Sequence, residues 1–203
     1  MVGNVLVGTN AALQLGADTN IGGNILADSC NFVEDVGLTG ITQTPIFIGG
    51  NVEINNCTVG GSFGSSPGDF PSFTVRGNLS CENNGDFCVL DGAEIGGNVR
   101  FINNGVSQVF AATIGGNLRV NKNSATLPGS EVAVVVNDTV GGNVEVLDNN
   151  GPQDSIVGAN VIGGNLRCRG NTPGVNDDNV GPSTVDGKKL ANVLVSRSTP
   201  QQQ

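Results

Sequence analysis

One short motif, an aliphatic residue followed by Gly-Gly-Asn and a second aliphatic residue, recurs throughout this 203-residue chain and constrains its fold more than any other feature. Complete copies begin at Ile21, Ile48, Ile95, Ile114, Val140 and Ile162. A looser copy runs from Val75 to Leu79, with Arg76 in place of the first glycine. A motif repeated at intervals of this size indicates a stack of one structural unit.

The asparagine of the motif serves as an anchor for aligning the copies. The residue after each anchor is a branched aliphatic, the third residue after it is apolar, and the residue between them is mostly polar. This period of two predicts a short strand with one buried face. Successive anchors lie 19 to 27 residues apart, and they are Asn4, Asn24, Asn51, Asn78, Asn98, Asn117, Asn143, Asn165 and Asn192.

A strand that returns at this interval, with no helical period between copies, predicts an all-β, single-domain parallel β-helix (a β-solenoid) of about eight to nine rungs. Rungs about 4.8 Å apart give a rod roughly 40 Å long. The variable coil length favours a right-handed winding over the left-handed hexapeptide type. We expect one domain over residues 1–203, with regular coils over 1–170, an irregular coil and last strand over 171–195 and a mobile tail over 196–203.

The anchor asparagines are predicted to be structural. Asparagine tolerates the left-handed backbone of a turn, and side-chain amides stacked on successive coils hydrogen-bond along the axis. Ligand binding is the weaker interpretation of so regular a column. The predicted ladder runs through Asn24, Asn51, Asn78, Asn98, Asn117, Asn143 and Asn165.

Two of the five cysteines occupy equivalent positions on adjacent coils. The sixth residues after successive anchors are Asn10, Cys30, Cys57, Asn84, Asn104, Asn123, Asn149 and Asn171. Because the rung spacing matches the Cα separation of a disulfide, a Cys30–Cys57 bond is predicted. Cys81 and Cys88 flank a turn-like stretch and are candidates for a second bond, whereas Cys168 falls in a core column as a buried thiol. The alternative is that all five are inert small core residues.

Charge and hydropathy exclude two classes of partner. The net charge is −9, with 9 basic against 18 acidic residues, so we expect no nucleic acid partner. No apolar run approaches the ~20 residues of a membrane span. The chain enters the repeat at Gly3 without a leader-like segment, so we expect a mature form or a protein without a leader. Two disulfides would indicate an oxidising compartment, hence an extracellular or cell-surface location.

The sequence contains few residues of the types that enzymes use for catalysis. The chain has no histidine, which removes the commonest general base and most zinc sites. A glycoside hydrolase needs two facing carboxylates, but Glu53 and Glu145 are separated in the outward column by Ser80, Arg100 and Arg119, about 19 Å at one rung per residue. We therefore predict no catalytic residue, no metal site and no cofactor.

Both ends of the chain carry the sequence Asn-Val-Leu-Val. The outward column, polar elsewhere, is apolar near both ends, which predicts that the last rung of one molecule stacks on the first rung of the next. Such a head-to-tail contact does not close and builds a filament. The alternative is a terminal flap that covers these leucines within one chain. The predicted contact residues are Val5, Leu6, Val7, Leu26, Val193, Leu194 and Val195.

The loop over residues 60–73 holds three of the eight phenylalanines, Phe63, Phe70 and Phe73. One interpretation is a protrusion that binds a carbohydrate or a protein partner. The favoured interpretation is a loop that folds its rings onto the side of the solenoid.

The segment from Val161 to Pro173, continued by Ser183 to Lys188, resembles a group of bacterial secreted proteins with stacked Gly-Gly-Asn-Leu repeats and a similar Cys…Asn-x-Pro…Thr-Val-x-Gly-x-Lys ending. The resemblance implies a parallel β-helix and no assigned function. In that group a further cysteine usually follows the lysine and pairs with the counterpart of Cys168. Here no cysteine follows, so the resemblance leaves Cys168 unpaired.

The leading hypothesis from the sequence is a secreted, non-enzymatic structural or surface β-solenoid that assembles end to end. The alternative is a carbohydrate-binding or polysaccharide-cleaving β-helix that uses a side face and the loop from Phe63 to Phe73.

Overall fold

The computed structural model describes residues 3–35, 45–64, 73–176 and 180–191. Within these ranges the chain forms strands and no helix, so no segment there has the helical length and hydropathy of a membrane span. The coils stack so that their strands form three parallel sheets along the rod, which confirms the predicted all-β parallel β-solenoid. The right-handed winding stays a prediction.

The repeat motif leads into the strands of one sheet, named the anchor sheet because each strand follows an anchor position. Its nine strands pair in order, each with the strand one coil away. They are β1 (Val5–Val7), β4 (Ile25–Asp28), β7 (Val52–Asn55), β10 (Leu79–Glu82), β13 (Val99–Ile102), β16 (Leu118–Asn121), β19 (Val144–Leu147), β22 (Leu166–Arg169) and β25 (Lys189–Ala191).

The other two sheets have eight strands each in the described residues. The middle sheet contains β2 (Ala12–Leu15), β5 (Phe32–Asp35), β8 (Gly60–Gly64), β11 (Phe87–Asp91), β14 (Val106–Phe110), β17 (Ala133–Val136), β20 (Ser155–Gly158) and β23 (Val175–Asn176). The closing sheet contains β3 (Asn20–Ile21), β6 (Ile46–Ile48), β9 (Phe73–Val75), β12 (Glu94–Ile95), β15 (Thr113–Ile114), β18 (Thr139–Val140), β21 (Val161–Ile162) and β24 (Thr184–Val185).

The core is a set of apolar columns that run along the rod axis. In the anchor sheet the residue after each anchor is completely buried from Ile25 to Val144, and Val5 on the first rung is only partly buried. Burial of an aliphatic side chain of this size contributes about 1.5–3 kcal/mol. The repeated column is therefore the main source of stability.

The corner after the anchor sheet requires a left-handed backbone. The residue five positions after each anchor from Asn24 to Asn165 has φ between 54° and 68°, and these residues are Ser29, Asn56, Asn83, Asn103, Lys122, Asp148 and Gly170. Asparagine, aspartate and glycine tolerate this conformation best, which explains why they hold five of these positions.

The second glycine of the motif is required because neighbouring coils come into close contact there, and not because its own φ is positive. A Cβ on Gly116 would lie 2.6 Å from Asn98 Oδ1 and 2.8 Å from the carbonyl oxygen of Gly97. Real Cβ atoms do not approach so closely, so only glycine allows neighbouring coils to pack at this corner.

The last rung lies earlier in the chain than predicted. Leu166 pairs with Lys189, so Lys188 rather than Asn192 occupies the ninth anchor position. The reason is packing at the corner: a Cβ on Gly187 would meet the carbonyl oxygen of Gly164 at 2.6 Å, the contact of a second motif glycine. Residues 192–203, with Val193, Leu194, Val195 and the predicted tail, lie outside the described residues.

Candidate functional site

The anchor asparagines form an outer ladder along the edge of the anchor sheet. The backbone N–H of Asn143 donates to Asn117 Oδ1 at 2.8 Å, and Asn143 Nδ2 donates to the same oxygen at 3.0 Å. Equivalent backbone bonds of 2.7 to 2.9 Å join every successive pair from Asn4 to Asn165. The backbone N–H of Lys188 donates to Asn165 Oδ1 at 2.9 Å. The predicted ladder is confirmed, and Asn4 extends it.

A second column, six residues after the anchors, forms an inner ladder. Its members are Asn84, Asn104, Asn123, Asn149 and the half-buried Asn171. Asn123 is completely buried; its Nδ2 donates to Asn149 Oδ1 at 2.9 Å and to the carbonyl oxygen of Phe101 at 3.3 Å. From the sequence, this column was used only to predict that Cys30 lies next to Cys57. Asparagine also recurs in it on five successive coils, and that recurrence is the signal from which the inner ladder could have been predicted.

A disulfide continues the inner ladder toward the first coil. Cys30 and Cys57 are bonded with a Cα separation of 4.4 Å, and the backbone N–H of Cys57 donates to Asn84 Oδ1 at 2.9 Å. Cys81 and Cys88 form the second disulfide, with a Cα separation of 6.4 Å. Both predicted bonds are confirmed.

The fifth cysteine, Cys168, is a free and buried thiol, as predicted. Burial raises its pKa to about 12. Because the thiolate is the reactive form, this sulfur is inert at neutral pH, and no nucleophilic chemistry is assigned to it.

A third polar column contains a buried carboxylate that the sequence analysis did not single out. Asp138 Oδ1 accepts the backbone N–H of Ala112 at 2.8 Å, and the backbone N–H of Asp138 donates to Asn160 Oδ1 at 2.9 Å. Asp138 Oδ2 is buried and has no hydrogen-bond partner. Burial raises the pKa of Asp138 to about 8, and nearby Asp91 adds to the shift. No repeated motif marks this column.

The outward face of the anchor sheet forms an open groove of about 1420 Å³. One column of side chains along it follows the pairing of the strands, in the order Leu6, Leu26, Glu53, Ser80, Arg100, Arg119, Glu145, Arg167 and Leu190. Arg100 pairs with Glu82 at 3.2 Å. Arg119 and Arg167 share Glu145, at 3.8 and 3.7 Å.

The carboxylates of this face are not arranged for hydrolysis. Glu53 and Glu145 are separated by four successive strand pairings, about 19 Å. Paired catalytic carboxylates lie within about 10 Å of each other. Within the described residues no group of three or more acidic, cysteine or histidine side chains is placed to hold a metal ion.

Charge is distributed unevenly along the chain, and hence along the rod. Before Arg100 the chain carries 10 acidic residues and 1 basic residue, whereas from Arg100 onward it carries 8 of each. The whole net charge of −9 therefore lies in the first half of the sequence. The last described rungs of the anchor sheet hold Arg167, Arg169, Lys188 and Lys189, which makes this end locally basic.

Two phenylalanines of the 60–73 segment, Phe63 and Phe73, do not form an exposed platform. Phe63 and Phe73 are buried in the core, and their rings stack with centroids 4.8 Å apart. Both interpretations drawn from the sequence were wrong for these two rings, because the inward columns of β8 and β9 place them inside the solenoid. Phe70 lies outside the described residues.

The first rung presents an open surface. Leu6 is 75% exposed, and a Cβ on Gly3 would meet nothing within 4 Å. Near the other end Leu190 is 56% exposed and occupies the outward position that was predicted for Leu194. Apolar residues therefore flank the outward column at both ends, as predicted, although the residue at the second end differs.

Comparison of the chain with protein-family models, with curated protein sequences and with solved structures finds no match.

Proposed function

We propose that this protein is a secreted, non-enzymatic structural β-solenoid that stacks head to tail into a filament. The observation that carries the proposal is the open first rung. Gly3 occupies the position of a second motif glycine, but a Cβ there would meet no atom of the described residues within 4 Å. One coil later the same position is Gly23, where a Cβ would lie 2.7 Å from the carbonyl oxygen of Gly3, so only glycine fits.

The register of the solenoid defines the joint. If the parallel pairing continues, β25 of one molecule lies beside β1 of the next, with Lys189 opposite Val5 and Leu190 opposite Leu6. The two exposed leucines then bury each other, and the edge N–H and C=O groups of β1 gain partners. Lys188 offers no side-chain acceptor to Asn4 of the next molecule, so the outer ladder stops at each joint.

The charge distribution supports one orientation. A head-to-tail joint brings the basic last rungs against the acidic first half of the next molecule, whereas head-to-head contact opposes like charges. Surface charges of opposite sign steer association, and salt weakens this contribution.

Secretion and the lack of enzyme activity are supported by separate features. Two disulfides are typical of proteins that fold in an oxidising compartment. The chain contains no histidine, and the outward carboxylates Glu53 and Glu145 are too far apart to cooperate.

Electron microscopy of the protein at increasing concentration tests the proposal. Filaments are expected, and fibre diffraction is expected to show the ~4.8 Å axial repeat. Gly3→Val is expected to abolish them, since its side chain would meet Gly187 of the neighbouring molecule. The variant monomer is expected to fold normally, because a Cβ at this position has open space within 4 Å.

Thr113→Val is the matched control, because it places an apolar side chain on the exposed face of the closing sheet, away from the joint. It is expected to form filaments like the natural sequence. Monodisperse monomers at every concentration, or filaments that persist in Gly3→Val, would overturn the proposed joint.

A further inference from the structure

The outer ladder leaves hydrogen-bond donors, rather than acceptors, facing the groove of the anchor sheet. Each Oδ1 from Asn98 to Asn143 already accepts two N–H groups of the next coil. Each Nδ2 uses one hydrogen for the preceding coil and carries a second. The exposed asparagine edge therefore offers a row of N–H donors, one per rung.

Guanidinium groups form a second row of donors beside the asparagines. Arg100 and Arg119 are directly opposite each other on β13 and β16, and each side chain is about half exposed. Arg119 and Arg167 share the single carboxylate of Glu145. Two cations on one anion leave positive charge unmatched, and Arg119 Nε makes no hydrogen bond.

Positive charge continues to the end of the groove. Lys188 lines it beyond Arg167, and within the described part of the chain no carboxylate lies within ion-pair distance of Lys188. From Arg100 to Leu190 the groove spans four strand pairings, about 19 Å. This length suits a segment of a linear polymer better than a single small anion.

The lining determines which polymer fits. The other end of the groove carries the carboxylates Asp28, Glu53 and Glu82, whereas from Arg100 to Lys188 the lining holds four cations and one carboxylate, Glu145. The Asn, Arg and Lys donors of that stretch select a ligand rich in anionic acceptors, and Arg binds carboxylates through paired N–H groups. Among the described residues no aromatic side chain lines the groove, so this part of the chain offers no platform on which nucleobases could stack. The net charge of −9 opposes every polyanion, so the local row of cations has to supply the attraction.

We infer that the groove over Arg100, Arg119, Arg167 and Lys188 binds a linear, carboxylate-bearing polysaccharide without cleaving it. Rows of donors one rung apart meet the carboxylate and hydroxyl oxygens of successive sugars. The interaction uses the side of the rod and does not depend on the proposed end-to-end assembly. An assembled filament would present the groove repeatedly along its length.

Titration calorimetry with polygalacturonate and with alginate tests this inference, using dilute full-length protein that light scattering shows to be monomeric. Both polymers are expected to bind at low ionic strength, and neutral dextran is not. The double variant Arg119→Gln/Arg167→Gln is expected to lower the affinity at least tenfold, and its thermal unfolding by circular dichroism checks that it folds.

The matched control is the double variant Arg76→Gln/Lys122→Gln. It removes the same net charge, but Arg76 lies over the Phe47 ring and neither residue lines the groove. It is expected to bind like the natural sequence. An equal loss in both variants would reduce the effect to overall charge and overturn the site. No binding of either acidic polymer, or tighter binding of a single-stranded polynucleotide, would do the same.

Discussion

The two asparagine ladders use the same side chain in opposite senses. In the outer ladder the later coil donates to Oδ1 of the earlier coil, as Asn143 does to Asn117. In the inner ladder the earlier coil donates to Oδ1 of the later coil, as Asn123 does to Asn149. The aligned amide dipoles of the two columns therefore oppose each other along the rod axis.

The ladders also differ in their access to water. The outer amides are mostly exposed, so water can replace a lost partner, whereas Asn123 and Asn149 are completely buried. A buried polar group that loses its partner carries the full cost of desolvation. One residue type in two columns thus makes an exposed row available for contacts and a buried row that fixes the stacking.

The largest expected difference comes from removing one amide in each ladder. Asn123→Ala removes the acceptor of the buried Asn104 N–H, a donor to Asn149 Oδ1 and one donor to the Phe101 carbonyl oxygen, so we expect a loss of about 3 kcal/mol in the free energy of unfolding. Asn117→Ala is expected to lose about 1 kcal/mol. Urea unfolding followed by circular dichroism measures both, and equal losses would contradict the distinction between the ladders.

A smaller effect is expected from the glycine that lets the outer ladder stack. Gly116→Ala places a methyl group against Asn98 Oδ1 and the Gly97 carbonyl, and we expect a loss of about 2 kcal/mol. Gly3→Ala is the matched control, because that position meets nothing within 4 Å. In dilute monomer its midpoint in urea is expected to equal that of the natural sequence. A large loss in Gly3→Ala would refute the contact explanation.

The smallest expected effect tests Asp138, the buried carboxylate of the third polar column. The pKa of Asp138 is about 8 in the folded protein, whereas the ordinary pKa of an aspartate is 3.8. Between these two pH values the folded state holds a proton that the unfolded state has lost. Stability therefore falls as pH rises through this window. Burial raises the pKa of Asp35 to about 6 and gives the same trend at lower pH, so Asp138→Asn is expected to remove the dependence only between about pH 6 and 8. The substitution is also expected to add about 1 kcal/mol at pH 7, since Nδ2 can donate to the Val109 carbonyl as Asn160 does to that of Val135.

Unfolding in urea at pH 5, 7 and 9 measures this dependence. Asp86→Asn, which changes an exposed carboxylate, is the control and is expected to leave the slope with pH unchanged. An unchanged slope between pH 7 and 9 in Asp138→Asn would show that another group causes it, because the contribution of Asp35 is largely complete below pH 7.

Much of the fold could be predicted because each coil repeats one local pattern. Strands β4 to β22 of the anchor sheet begin directly after the predicted anchors, and Cys30 meets Cys57 because equal offsets from the anchor place residues one rung apart. The last rung could not be predicted from the motif. Lys188 has no amide and follows a single glycine, so the better match at Asn192 was misleading.

The candidate sites were only partly predictable. The outward column from Glu53 to Arg167 follows from the alternation along each strand, and the structure keeps it. The rings of Phe63 and Phe73 were misplaced, because a segment outside the motif shows no register and only packing decides which way its strands face. Asp138 was missed for the same reason.

The sequence alone determined the repeat, the β-solenoid, the outer ladder and both disulfides, because these depend on residues at fixed offsets within one coil. Tertiary structure alone decided the ninth rung, the opposite senses of the two ladders, the buried Asp138 and the groove with its shared Glu145. These features depend on which atoms of neighbouring coils meet, and that geometry exists only once the coils are stacked.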